Sequence, residues 1–297
     1  MPGQITLNKT MDRADLQLLQ AQIITRELNE LIRQLQEQKL TISSWYGYVA
    51  LPPVWQRYEI ANRGFNYEPL PNAIDDRRFP WFLYWEISWV VMHNQWRPGM
   101  RILDLGGSSS LFSYYLASKG LDVTTVDLQP ELVDNANRVA AAMGWRLKNL
   151  VMDMRHLTVD GPFDHITSIC VYEHLPWHDR VAINRDLRRL LSPAGNFSIT
   201  FDYRNPSRQA GIDSPEDVAA QFIRPSGLAP RGNQQFHDSG VNYLLHPFLM
   251  PQAEWRWKVQ AIRRGEFLLT DWPKKKTAND YTFGALFLTQ PTTPPTA

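Results

Sequence analysis

Three apolar, strand-like runs in the middle of this chain each end in or beside a carboxylate. Arg101-Ile102-Leu103-Asp104-Leu105 runs into Gly106-Gly107, Val123-Thr124-Thr125-Val126 into Asp127, and Leu150-Val151-Met152 into Asp153. Helix-like sequence separates the runs, and strands that alternate with helices build a parallel sheet with helices on both faces. The strand ends of such a sheet share one edge, where ligands bind. Acids there that accept hydrogen bonds from hydroxyls or an amine suit a nucleoside-like ligand. The pattern predicts strands at 100–105, 121–127, 147–152, 164–170 and 195–202, with helices at 109–119, 130–143 and 178–191.

The rest of the chain is organised around this unit. Residues 11–40 read as one amphipathic helix in which Ala21, Ile24, Leu28, Leu31 and Leu35 form a heptad-like seam. Such a seam serves either to pack the helix on its own domain or to form a homodimer contact. Residues 41–97 are dense in aromatics, with helices expected at 53–62 and 79–95; their rings suit a core or a cap over an apolar or ring-shaped substrate. Ser214-Pro215-Glu216-Asp217 opens a further helix, with a Ser cap and proline in the first turn. Two late runs, 256–269 and 281–289, are spaced to form an antiparallel pair. The domain reading is a helical, aromatic-rich N-terminal extension at 1–97, a ligand-binding domain at 98–290 and a disordered Pro/Thr-rich tail at 291–297.

Composition narrows the function classes. Of 297 residues, 43% are hydrophobic and 21% charged, which implies a packed globular core. A net charge of +1 gives no electrostatic basis for a nucleic-acid partner. Lys274-Lys275-Lys276 reads as a solvated turn. The single cysteine, Cys170, excludes an intramolecular disulfide and a cysteine-based zinc site, and suits a reducing, cytoplasmic setting. Residues 1–17 lack a basic stretch followed by an apolar one, so no signal peptide is expected, and the most apolar window, 79–92, is too short for a membrane span and contains Glu86.

The loop after the first strand is Gly106-Gly107-Ser108-Ser109-Ser110. A dinucleotide fingerprint would require glycine at 108 and 111 as well as 106, and the chain has Ser108 and Leu111. The segment instead resembles motif I of the class I S-adenosylmethionine-dependent methyltransferases, in which an apolar strand leads through Leu-Asp into Gly-x-Gly-x-Gly. Leu103-Asp104-Leu105-Gly106 match; Ser108 and Ser110 replace the second and third glycines. The resemblance implies a seven-stranded, mostly parallel Rossmann-like sheet and S-adenosylmethionine as cofactor. It implies cofactor contacts at Asp104, Gly106, Gly107 and Ser108, at Asp127 for the ribose hydroxyls with Leu128 beside the adenine, and at Asp153 and Met154 near the adenine amino group.

Phe163 to Pro176 matches the family's fourth strand and the loop that borders the transferred methyl, which places Cys170 at the cofactor. Methyl transfer is an in-line displacement, so the protein must align the reactants and exclude water; a hydroxyl nucleophile also needs a base. His174 is the first candidate, with Glu173 as its orienter. In ubiquinone-pathway O-methyltransferases a Glu-x-x-Glu-His pattern here binds a divalent cation, but Cys170 stands at the first position, and a hard cation prefers oxygen. No metal is expected. Asp202-Tyr203, His237, His246 and Arg77-Arg78 are secondary candidates for the substrate pocket. The reading is methyl transfer to a small molecule or sugar, most readily at oxygen. C-methylation of an apolar, prenyl-like substrate and a non-catalytic scaffold role remain alternatives.

Overall fold

The computed structural model describes residues 6–42, 81–205, 211–244 and 280–291. The expected helix at 53–62, the strand at 256–269, Arg77-Arg78, His246 and the 274–276 lysines lie outside them. The strands are β1 (Lys9–Thr10), β2 (Arg101–Leu105), β3 (Asp122–Asp127), β4 (Leu147–Val151), β5 (Phe163–Ile169), β6 (Leu191–Tyr203), β7 (Ala229–Pro230), β8 (Tyr243–Leu244) and β9 (Asp280–Thr289). The helices that matter here are α1 (Leu19–Glu37), α2 (Trp81–Met92), α3 (Leu111–Ser118), α4 (Pro130–Met143) and α5 (Trp177–Leu190).

Seven strands follow one another across the sheet in the order β1-β9-β6-β5-β2-β3-β4. The pairs from β6 to β4 are parallel, and β9 runs antiparallel to β6 with Phe201 opposite Gly284. The sequence pairs 281–289 with 256–269, which lies outside the described residues; among the described residues β9 lies against β6 on one side. Gly284 is required there, because a Cβ would lie 2.6 Å from the Phe201 ring. The outer side of β9 is covered piecewise by β8, β1 and β7, which pair with successive stretches of it.

The expected 11–40 helix is interrupted. Asp12 accepts a hydrogen bond from the Ala14 N–H and caps a short 3-10 turn, Arg13–Gln17; Leu18 is extended, and α1 starts after it. Its seam is buried in a single cluster with α2, β2, β3 and β9, so the row that could serve a dimer is occupied within the chain. Tyr84 on α2 donates to Asn29 on α1 at 2.5 Å, and Tyr115 on α3 donates to Glu27 at 2.5 Å. Apart from Glu86 and Ser88, helix α2 is apolar all round, the pattern of an enclosed helix; Phe82, Trp85, Trp89 and Val90 are all buried. A second cluster fills the other face of the sheet with α5 and the helical segment 215–226. Among the described residues no helix is long and apolar enough to cross a membrane.

Candidate active site

The loop between β2 and α3 is shaped by two glycines and two serines. Gly106 has φ +75, and a Cβ on it would meet the Val171 side chain at 2.6 Å. A Cβ on Gly107 would fall 1.8 Å from Oδ2 of Asp104. Glycine is therefore required at both positions, for conformation at the first and for space at both. The serines that depart from the motif hold the loop with their hydroxyls. Ser108 Oγ lies 2.7 Å from Thr125 Oγ1, which donates to Asn149 on β4 at 2.7 Å, and Ser110 caps α3 by accepting from the Ser113 N–H at 3.0 Å. Ser109 takes the positive φ of +61 and donates to the Leu132 carbonyl at 2.7 Å.

Asp104 sits beneath this loop, buried. Ser113 Oγ donates to one of its oxygens at 2.5 Å and Thr167 Oγ1 to the other at 2.9 Å. Burial outweighs those two bonds and pushes its carboxyl up to about 7. Asp127, at the end of β3, is nearly buried; burial raises its pKa, opposed by backbone N–H groups of Gln129, Leu128 and Ser108 that point at its carboxylate. The Ser108 N–H thus ties the glycine loop to the second strand end. Beside Asp127, Leu128 is 58% exposed, an apolar side chain left open at the ligand edge.

Asp153 is engaged differently from its neighbours. It caps a short turn by accepting from the Arg155 N–H at 2.9 Å, and the Arg155 guanidinium binds both its oxygens at 2.6 to 3.0 Å. Those bonds hold its carboxyl below the usual range. Met154, next to it, is buried.

After β5 the chain turns at Cys170, which has φ +56 and whose N–H donates to Thr200 on β6. Strand 164–170 therefore ends one residue early. Burial, then Glu173 and further acids, push the thiol well above its ordinary pKa, and Sγ lies 3.9 Å from Asp202. Glu173 is buried and its donor atoms cluster with those of Cys170 and Asp202, whereas the His174 side chain is 57% exposed. His174 Nε2 lies 3.9 Å from Glu173 Oε1, longer than a hydrogen bond of ordinary geometry. Asp202 accepts from Asn205 at 2.6 Å, while Tyr203 donates away from it, to Asp238 at 3.0 Å. His237 is exposed, and its backbone bonds to the N-terminal strand.

One acid in this region reads in the sequence only as an interruption of an apolar window, with no site role. Glu86, in the middle of α2, is fully buried beside Thr200 and Cys170. A carboxylate within the run Trp81 to Met92 was the available signal, because acids are almost never enclosed without a partner or a purpose. A neutral thiol among three carboxylates is a poor donor set for a hard cation, and none of these residues is assigned as a metal ligand.

Residues 102–195 match the family described as a methyltransferase domain. The chain is similar to the ubiquinone biosynthesis O-methyltransferase of Xanthomonas campestris pv. campestris (strain B100), 32% identical over 176 residues, which are 59% of this chain and 65% of that protein. The enzyme of the same name from Xanthomonas oryzae pv. oryzae (strain PXO99A) is 33% identical over 175 residues, 58% of this chain and 64% of that protein. The chain thus spans a little under two thirds of the length of these relatives. Among solved structures it resembles SpnF, described as a (4+2)-cyclase, with a TM-score of 0.53 and 16% identity over 92% of this chain and 96% of that one; at that identity the likeness is one of fold. Residues 102–195, which match the methyltransferase-domain family, hold the glycine loop and the parallel strands β2 to β5 of the sheet.

Proposed function

We propose that this protein transfers a methyl group from S-adenosylmethionine to a hydroxyl oxygen of a small molecule. The observation that carries the cofactor reading is the cradle at Gly106-Gly107. It is open because no side chain fits above Asp104, and it is flanked by the Asp127 carboxylate and the exposed Leu128. Backbone at Gly106, Gly107 and Ser108 would face the amino-acid portion of the cofactor, Asp127 its ribose, and Leu128 and Met154 its adenine. Asp104 acts from below, fixing the loop through Ser113 and Thr167. Asp153, already bound by Arg155, would reach the adenine amino group only with whatever acceptor capacity that pair leaves. Cys170 enters through its backbone turn, because its thiol points to the acids.

When bound, the cofactor supplies an electrophilic methyl; the chain's own groups align the acceptor and take its proton. Glu173 and His174 divide that work by position, Glu173 enclosed beside Asp202 and His174 at the solvent boundary, where it exchanges a proton with water. The names of the relatives and the presence of enclosed carboxylates favour oxygen over carbon as the acceptor atom. The α1 seam is spent inside the chain, so no homodimer through it enters the proposal. The lone cysteine supports a reducing, cytoplasmic setting. Incubation with methyl-labelled S-adenosylmethionine and a panel of phenols and sugars, followed by mass spectrometry, tests the reaction. Label on a product oxygen supports it, and label on carbon, or none on any acceptor while the cofactor still binds, refutes it.

A further inference from the structure

Helix α1 stops in a fixed turn. Lys39 takes φ +58, its N–H donates to the Gln36 carbonyl at 2.9 Å, and the Leu40 N–H donates to the Leu35 carbonyl at 2.8 Å. These two backward bonds form a Schellman turn, a helix end more often built on glycine, and Leu40 packs on the core beyond it. The turn delivers Thr41 to the side of α4, where it meets Asn135 at two points. The Thr41 hydroxyl donates to Asn135 Oδ1 at 2.9 Å, and the Thr41 carbonyl accepts from Asn135 Nδ2 at 2.8 Å.

Asn135 is buried, and the same amide reaches the glycine loop: Nδ2 also donates to Ser109 Oγ at 2.9 Å. Ser109 is the residue of that loop held at φ +61, a region costly for any residue with a Cβ. Its hydroxyl donates to the Leu132 carbonyl and accepts from Asn135 and, at 3.3 Å, from Tyr114, so bonds from α3 and α4 together fix it. On either side of it, Ser108 points its N–H at Asp127 and Ser110 caps α3. A carbonyl only accepts, so Thr41 dictates which way the Asn135 amide faces. Aspartate, which has no donor when ionised, and leucine, which has neither donor nor acceptor, would not join the two residues.

We infer that Asn135 is a positioning residue for S-adenosylmethionine. Its one amide holds Ser109 in the left-handed conformation and fastens it to Thr41, so the N-terminal extension, outside the matched residues 102–195, supports the cofactor loop. The inference rests on the reading of Gly106-Gly107-Ser108 as the cofactor cradle. Asn135 lies behind the loop and acts through Ser109. A loop released from that conformation no longer offers its backbone in one arrangement, and binding must then reorder it at the expense of affinity.

Titration calorimetry of the purified full chain with S-adenosylhomocysteine tests this on wild type, Asn135→Leu, Thr41→Val and the double variant. Kd should rise about tenfold in Asn135→Leu, which frees Ser109, and about threefold in Thr41→Val, which removes one hydroxyl. The hydroxyl acts through the amide, so the double variant should bind no more weakly than Asn135→Leu alone. With an acceptor, both single variants should raise the KM for S-adenosylmethionine and leave kcat at saturation within about twofold, a split that partial unfolding would not produce. Thr41 is exposed, so Thr41→Val decides the matter should Asn135→Leu fail to fold. If wild type binds, unchanged affinity in the folded single variants, losses that add in the double variant, or a fall in kcat at constant KM would overturn the proposal alone. No binding by wild type would overturn the cradle reading, and the proposal with it.

Discussion

Oδ2 of Asp104 occupies the space that a side chain at position 107 would need, 1.8 Å from where a Cβ on Gly107 would sit. The carboxylate is held there by hydroxyls from Ser113 and Thr167. Loop and strand end are therefore one unit, and the shape of the cradle depends on a buried acid that need not touch the ligand.

Gly107→Ala should cost roughly 3 kcal/mol of stability, at the upper end of the range for overpacking a close-fitted site. Denaturant unfolding measures this. S-adenosylhomocysteine binding should fall further than stability does, because Asp104 must shift to admit the methyl group. A variant with unchanged stability and affinity would remove Asp104 as the loop's support.

Asp127→Asn replaces a charged acceptor with a neutral amide at the expected ribose site. Hydrogen bonds to charged groups contribute about 1.5–3 kcal/mol, so the Kd for S-adenosylhomocysteine should rise about tenfold to a hundredfold. Asp153→Asn should have the smaller effect on affinity, since Arg155 already occupies its carboxylate. Equal losses at the two positions would contradict this ranking.

His174→Ala should reduce kcat by about tenfold, and imidazole in the buffer should restore part of it, because the side chain is exposed and serves proton exit rather than alignment. Cofactor affinity should not change. A loss near ten-thousandfold without rescue would instead make His174 the base itself.

Stability should depend on pH through two histidines, the buried His165 and the half-buried His93. His93 Nε2 and His165 Nδ1 have no hydrogen-bond partner among the described residues, and burial, aided by the charge of Arg231, lowers both to about 4. An unfolded histidine binds its proton near pH 6.5, so between 6.5 and 4 the unfolded state holds more protons and stability falls as pH falls. Asp104 acts in the opposite sense: its raised folded pKa of about 7 makes its contribution fade as pH rises towards that value. The difference between wild type and His165→Gln isolates the histidine, and the variant should lose a slope of up to about one proton in this window. Parallel curves would refute it.

The parallel half of the sheet was legible because hydrophobic runs, helical spacing and turn residues agree there. Helix α4 begins at Pro130 and ends at Gly144 in the left-handed conformation, as propensity requires. The three strand-end acids were equally plain, but their inequality was not. Nothing in the order of residues distinguishes Asp153 bound by Arg155 from Asp127 held by backbone N–H groups, since that depends on how the chain turns after each strand. Glu173 and His174 are adjacent in sequence but differ in burial, because the turn after Cys170 sends the first inward and the second outward. Glu86 was visible only as an anomaly in an apolar run. Its neighbours Cys170 and Asp202 come from distant positions, and only the packing of α2 on β6 and β9 brings them together.

The most direct test of the central claim is a calorimetric titration of the wild-type chain with S-adenosylhomocysteine, repeated on folded Gly107→Ala. The account predicts saturable one-to-one binding by wild type and a large loss in the variant. No binding by wild type, or equal binding by both proteins, would contradict it.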